Sequence, residues 1–187
     1  MRPFGNTEYL KINYNIHSMI LATDTFYYED YAYCVAFAFQ WDDVHPVSVY
    51  SERIEQVLAY KSGSFYQREL PCIVKVFEKI DLLQIDTIII DGYIYTNNAK
   101  SNGLGGQLYK HLQGKIPIVG VAKNRLLGAE STYAEVFRGK SNKPLFVSSI
   151  GVELDWAINK IKTMPGLHRI PTILKSLDSE SRSTKSM

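Results

Sequence analysis

The 187 residues suffice for one compact domain with a continuous core and fall short of what two independent domains need. Hydrophobic residues make up 45% and charged residues 21%, a balance that excludes a disordered or collagen-like chain. Twenty-one Lys and Arg against nineteen Asp and Glu leave a formal charge of +2, too small to mark a polyanion binder, so any nucleic-acid surface has to be local.

The N-terminal residues 1–15 (MRPFGNTEYLKINYN) lack a signal peptide's apolar core, and no later run approaches the roughly 20 residues that span a bilayer. The expectation is a cytoplasmic protein. Two apolar runs at 18–23 (SMILAT) and 32–40 (AYCVAFAFQ), joined by DTFYYEDY, predict a hairpin, and HPVSVYS at 45–51 extends it into a meander. From Ser64 the period changes. Leu70, Ile73, Val74, Phe77 and Ile80 fall at helical spacing, and Ser64 with Gln67 has the form of a capping box.

Residues 86–91 (DTIIID) are too short for a helix and read as a strand covered on both faces. A polar, glycine-bearing loop follows, with the run GLGG read as a helix start close to a substrate backbone, and then a helix through 107–112. Further strands are expected at 116–121 and 144–148. A second amphipathic helix is marked by Leu154, Ala157, Ile158 and Ile161, and a last helix runs from Pro171 to about Asp178. Residues 179–187 (SESRSTKSM) have the composition of an unstructured end, which limits the single domain to residues 1–180 and leaves 181–187 as tail. Cys34 and Cys72 sit in apolar segments without a CxxC or Cys/His cluster and are expected reduced and buried. His17, His45, His111 and His168 show no metal-ligand spacing. A meander followed by alternating helices and strands predicts an α/β fold, a mixed β-sheet with α-helices on both faces.

Three acids stand at conspicuous places: Asp24 closes the first strand, Asp91 closes DTIIID, and Glu69 lies in the helix's first turn. If the strands of Asp24 and Asp91 are parallel neighbours, both acids face one crevice. Singly, each has an ordinary account as turn acid, strand-ending Asp-Gly or helix-dipole partner. Together, ionised carboxylates at close quarters call for a hard cation, and magnesium or manganese suits phosphodiester hydrolysis.

These residues also sit in segments that resemble the endonuclease V family. YKSGSFYQRELP at 60–71 resembles the family's Tyr-x-Pro-Gly-x-x-x-x-Arg-Glu-x-Pro, and DTIIIDGY its strand ending in Asp-Gly-His. IPIVGVAKNRLLG resembles Pro-x-Ile-Gly-Val-Ala-Lys, ATDTFY resembles Gly-x-Asp-x-x-Tyr, and HRIPTILKSLD resembles the Arg-Leu-Pro helix with an acid nine positions after the Arg. The five segments run in the family's order from about residue 18 to 180.

The resemblance implies a ribonuclease H-like fold and a monomeric, Mg²⁺- or Mn²⁺-dependent endonuclease with a DNA-repair role, cutting DNA or RNA 3′ to inosine. It makes Asp24, Glu69, Asp91 and Asp178 metal-site acids, Asp178 as an outer ligand or positioner of the attacking water, and Lys123 the charge on the scissile phosphate. Candidate nucleic-acid contacts are Tyr60, Gly63, Phe65, Arg68, Tyr93, Asn97, Gly103, Gly105 and Lys123, with further cations at Lys61, Lys100, Lys110 and Arg125. The chain departs from the pattern where Tyr93 and Asn97 stand for two histidines, where Lys61-Ser62-Gly63 lacks the wedge proline, and where Ser149-Ile150-Gly151-Val152 lacks a histidine. Those losses leave open a catalytically weakened binding module or a nuclease for another substrate.

Overall fold

The computed structural model describes residues 19–55 and 65–183, the Phe65 side chain excepted. The capping box at Ser64 and the contacts expected of Tyr60, Lys61, Gly63 and the Phe65 side chain lie outside the described residues. The hairpin forms from β1 (Met19–Tyr27) and β2 (Tyr31–Phe39), and β3 (Ser48–Glu55) completes the meander. β1 runs past Asp24 because the aromatic residues Phe26 and Tyr27 keep pairing with Tyr33 and Ala32. Asp24 therefore lies inside its strand and does not close it.

Next come α1 (Phe65–Phe77), β4 (Ile85–Ile90), α2 (Leu104–His111), β5 (Ile118–Ala122), β6 (Ala134–Val136), β7 (Leu145–Ile150), α3 (Leu154–Thr163) and α4 (Thr172–Ser181). β6 escaped the sequence reading because three residues show no periodicity. α4 passes the expected end at Asp178, so Ser179, Glu180 and Ser181 belong to the helix, and Ser181 is wholly buried. The first turn of α1 holds no acid: Glu69 is one turn further in.

One seven-stranded sheet has the order β3-β2-β1-β4-β5-β7-β6, with β1, β4 and β5 parallel and the other neighbours antiparallel. Strand alternation sends Leu21, Ile88 and Ile90 to the face covered by α1 and α2, and Ile20, Ala22, Ile89, Val119 and Val121 to the face covered by α3 and α4. Full burial of each such Leu, Ile or Val side chain contributes roughly 1.5–3 kcal/mol. The edge strand β3 carries Glu52, Arg53 and Glu55, charges that discourage pairing with another chain. Cys34 and Cys72 are buried and unpaired, as expected. The architecture is the mixed α/β sheet with helices on both faces, consistent with a ribonuclease H-like fold.

Candidate active site

The site is a consequence of parity. In β1 and β4 the register pairs Thr23 with Ile90, so the next residues, Asp24 and Asp91, stand side by side at the same sheet edge. Asp24 follows Ala22 at strand period two, Asp91 follows Ile89, and Lys123 follows Val121, all on the α4 face. Gly120 permits the close approach of the turn after Asp91, because a Cβ there would lie 2.5 Å from the Gly92 carbonyl oxygen.

On α4, Ile173 and Leu177 seat the helix in the core, and Ser181 occupies the next place of the same stripe. Asp178, beside Leu177, then meets the strand acids. One carboxylate oxygen each of Asp24, Asp91 and Asp178 lies within 4.8 Å of the others. Lys123 Nζ donates to Asp91 Oδ2 and to Asp178 Oδ1, both at 2.9 Å. Ser181 Oγ donates to Asp24 Oδ2, and Arg182 donates to both oxygens of Asp178 at 3.0 and 3.2 Å. Arg169 donates to the carbonyls of Lys123 and Pro144, tying the loop before α4 to the end of β5.

The electrostatics separate the acids. Burial raises the Asp24 pKa, and Asp91 and Asp178 add to the rise against the Ser181 hydrogen bond and Lys123. Asp178 stays below its usual range: burial opposes ionisation, but hydrogen bonds and charge from Arg182 and Lys123 prevail. Burial works against the Lys123 ammonium too, yet Asp91 and Asp178 hold its proton.

Glu69 differs from these. It lies on the buried stripe of α1 with Cys72, Ile73, Val76 and Phe77, so it approaches from the opposite face of the sheet. It stays outside the group of three carboxylates, although Asp24 and Asp91 are near enough to add to the strong rise that burial imposes on its pKa. Asp178, expected as an outer ligand, is in the cluster, and Glu69, expected beside Asp24 and Asp91, stands behind it.

Several candidate contacts take other roles. Tyr93 donates its hydroxyl to the Asn124 carbonyl at 2.6 Å and packs on Tyr133. Asn97 staples its own loop, donating to Ser101 Oγ and accepting from Ser101 N. Gly103 and Gly105 are buried, and a Cβ on Gly105 would lie 2.4 Å from Ile94 Cδ1, so these glycines serve helix packing and offer no room to a nucleotide backbone. Arg68 lies over the Tyr27 ring at 3.6 Å. Lys110 sits in the last turn of α2, at the sheet edge away from Asp91, while Arg125 pairs with Glu135 and Lys100 lies over Tyr95. Ser181, Arg182 and Arg169 were not foreseen, though Ser181 and Arg182 follow Asp178 at helical spacings of three and four.

Clustered carboxylates with a lysine where the parallel strands of a mixed α/β sheet end suit metal-assisted phosphodiester hydrolysis. The family model for endonuclease V matches residues 7–145, well over half of the sequence. The chain belongs to the endonuclease V family, and is an endonuclease V-like nuclease.

Among solved structures it is similar to human ENDOV, with 18% identity, a TM-score of 0.70 and coverage of 90% of this chain and 84% of that one. It is likewise similar to Ciona intestinalis endonuclease V bound to a 24mer DNA containing an inosine followed by a ribo-adenosine (17% identity, TM-score 0.69, 88% and 84% coverage). The Streptomyces avermitilis endonuclease V shares 23% identity at a TM-score of 0.69, over 88% of this chain and 80% of that one. At such identities these matches establish the fold. No curated protein matches the sequence. The family is metal-dependent, and the Asp24, Asp91 and Asp178 triad, hard oxygen donors within 4.8 Å, suits a divalent cation. Among the described residues no helix is long and apolar enough to cross a membrane.

Proposed function

We propose that this protein is a Mg²⁺- or Mn²⁺-dependent endonuclease that hydrolyses the phosphodiester bond 3′ to a deaminated base, inosine, in DNA or RNA, acting as a monomer. The observation that carries the reading is the convergence of Asp24, Asp91 and Asp178 with Lys123 at one strand edge. Asp24, Asp91 and Asp178 would hold the cation, which when bound would supply Lewis-acid stabilisation of the phosphate and lower the pKa of water. Ser181 and Arg182 orient Asp24 and Asp178, and Glu69 holds a carboxyl in reserve behind them. Lys123, at the strand end beside Asp91 and Asp178, is placed to set its point charge against the scissile phosphate. The Ciona structure's inosine-containing DNA supports the choice of lesion.

The test incubates the full chain with inosine-containing and matched unmodified DNA and RNA strands, with Mg²⁺, with Mn²⁺ and with chelator. Metal-dependent cutting confined to the inosine strands is the expected result. No cutting of any strand would overturn the reading. The engagement of the Tyr93 hydroxyl by the Asn124 carbonyl, where the family has a histidine, favours a second reading in which the same centre cuts a different nucleic-acid structure. Equal cutting of modified and unmodified strands would select it.

A further inference from the structure

Beside the acid cluster, at the same sheet edge, lies a groove of about 740 Å³ with a wholly different charge. It is lined by Lys140, Ser141, Leu167, His168, Arg169 and Lys175, and no acidic residue lines it. Lys140 and Lys175 are exposed, and among the described residues neither pairs with a carboxylate. In a chain of net charge +2 this is a local concentration of cations.

The groove is built and continuous with the acid cluster. Arg138 is buried, and its guanidinium donates to the carbonyls of Lys162, Met164, Gly166, His168 and Arg169, which fixes the wall between α3 and α4. Gly139, with φ +58°, brings the opposite wall in, since a Cβ there would fall 2.1 Å from the Leu167 carbonyl oxygen. Ile170 lines both this groove and the cavity that holds Asp24, Asp91, Lys123 and Asp178. Lys175 precedes Asp178 by three residues, about 4.5 Å along the helix axis. Leu167, 87% exposed at the lip, adds an apolar surface for a sugar or base.

We infer that this groove seats the phosphate backbone of the substrate strand flanking the scissile bond, with Lys140 and Lys175 each neutralising one phosphate. The inference rests on the nuclease reading above and adds to it the path of the strand. A polyanion is the occupant that the charge favours, and continuity with the acid cluster makes it the strand being cut.

The experiment measures binding of a fluorescent single-stranded 15-mer containing one inosine, as DNA and as RNA, to the full chain carrying Asp91→Asn to prevent cutting. Affinity is followed from about 50 to 200 mM KCl. Each lost phosphate contact lowers the slope of log K against log salt by about 0.7 on a single strand, so Lys140→Gln with Lys175→Gln should make it shallower by about 1.4. Lys110→Gln with Lys115→Gln, at the other end of the sheet, should leave the slope unchanged. An unchanged slope in the groove variant, or an equal fall in the control pair, overturns the groove while the nuclease reading stands. Failure of the parent chain to bind either strand overturns both. Unaltered circular-dichroism melting of the groove variant shows that the lost slope is not lost fold.

Discussion

α1 and α4 cover opposite faces of the sheet, and each gives one place of its apolar stripe to a polar residue, Glu69 in one case and Ser181 in the other. The outcomes are opposite. Glu69 is buried with Asp24 and Asp91 as charged neighbours and only Arg68 to offset them, so its carboxyl holds its proton well above the usual range. On α4, the Ser181 hydroxyl binds Asp24, and the adjacent Asp178 meets Lys123 and Arg182 and is pushed below that range. On the α4 side Lys123 and Arg182 thus favour the ionised form of Asp178, whereas on the α1 side Arg68 does not offset the burial of Glu69.

The largest effect should come from Lys123→Met. Loss of its point charge should lower cleavage by roughly 100- to 1,000-fold, the range for removing one preorganised electrostatic contact, in single-turnover assays. Mn²⁺ binding, read by calorimetry, should tighten, because the ammonium no longer competes for Asp91 and Asp178. Weakened Mn²⁺ binding would mean that Lys123 supports the acids and does not compete with the cation.

Ser181→Ala should cost about 10- to 100-fold in metal affinity or cleavage, the usual penalty for removing a group that orients a ligand. Ser181→Thr should restore most of it. A loss of melting temperature with metal affinity intact would reduce Ser181 to a packing residue.

The smallest effect is in stability. Asp24 and Glu69 are raised in the fold, so the metal-free protein binds their protons more tightly than the unfolded chain does. Their contribution is fully present below the ordinary carboxylate values of 3.8 and 4.5 and is lost as pH rises through the folded values. Asp178 acts in the other sense, losing its contribution as pH falls below its ordinary 3.8. Added Mg²⁺ should therefore raise Tm more at pH 8 than at pH 5. At 100 times its dissociation constant it contributes about 2.7 kcal/mol, roughly 5–10 °C in a chain of this size. Glu69→Gln should flatten the pH dependence without Mg²⁺, and a Tm gain independent of pH would contradict the account.

Much of this was legible in the sequence where a single period governs. DTIIID announced a strand buried on both faces, and the parity that sends Ile89 inward also aims Asp91 at α4. The family segments pointed to Lys123 through the run GVAK and to Asp178 through its place nine positions after Arg169, while Asp24 and Asp91 also stand at the ends of apolar runs. What stayed hidden depends on contacts across the fold. Ser181 looked like the start of a polar tail, since a serine on a core stripe is recognisable only once Asp24 is known to face it. Gly103 and Gly105 read as substrate contacts because a glycine that clears space for Ile94 looks the same in sequence as one that clears space for a ligand. The basic groove draws on residues 140 and 175, which no local pattern connects.

The most direct test is a Mn²⁺ titration followed by electron paramagnetic resonance on the full chain and on Asp24→Asn, Asp91→Asn and Asp178→Asn, with folding checked by circular dichroism. The account predicts saturable Mn²⁺ binding in the parent that each substitution weakens, Asp91→Asn as severely as any. Undiminished binding by all three folded variants would show that the cation sits elsewhere, and the triad would lose its assignment.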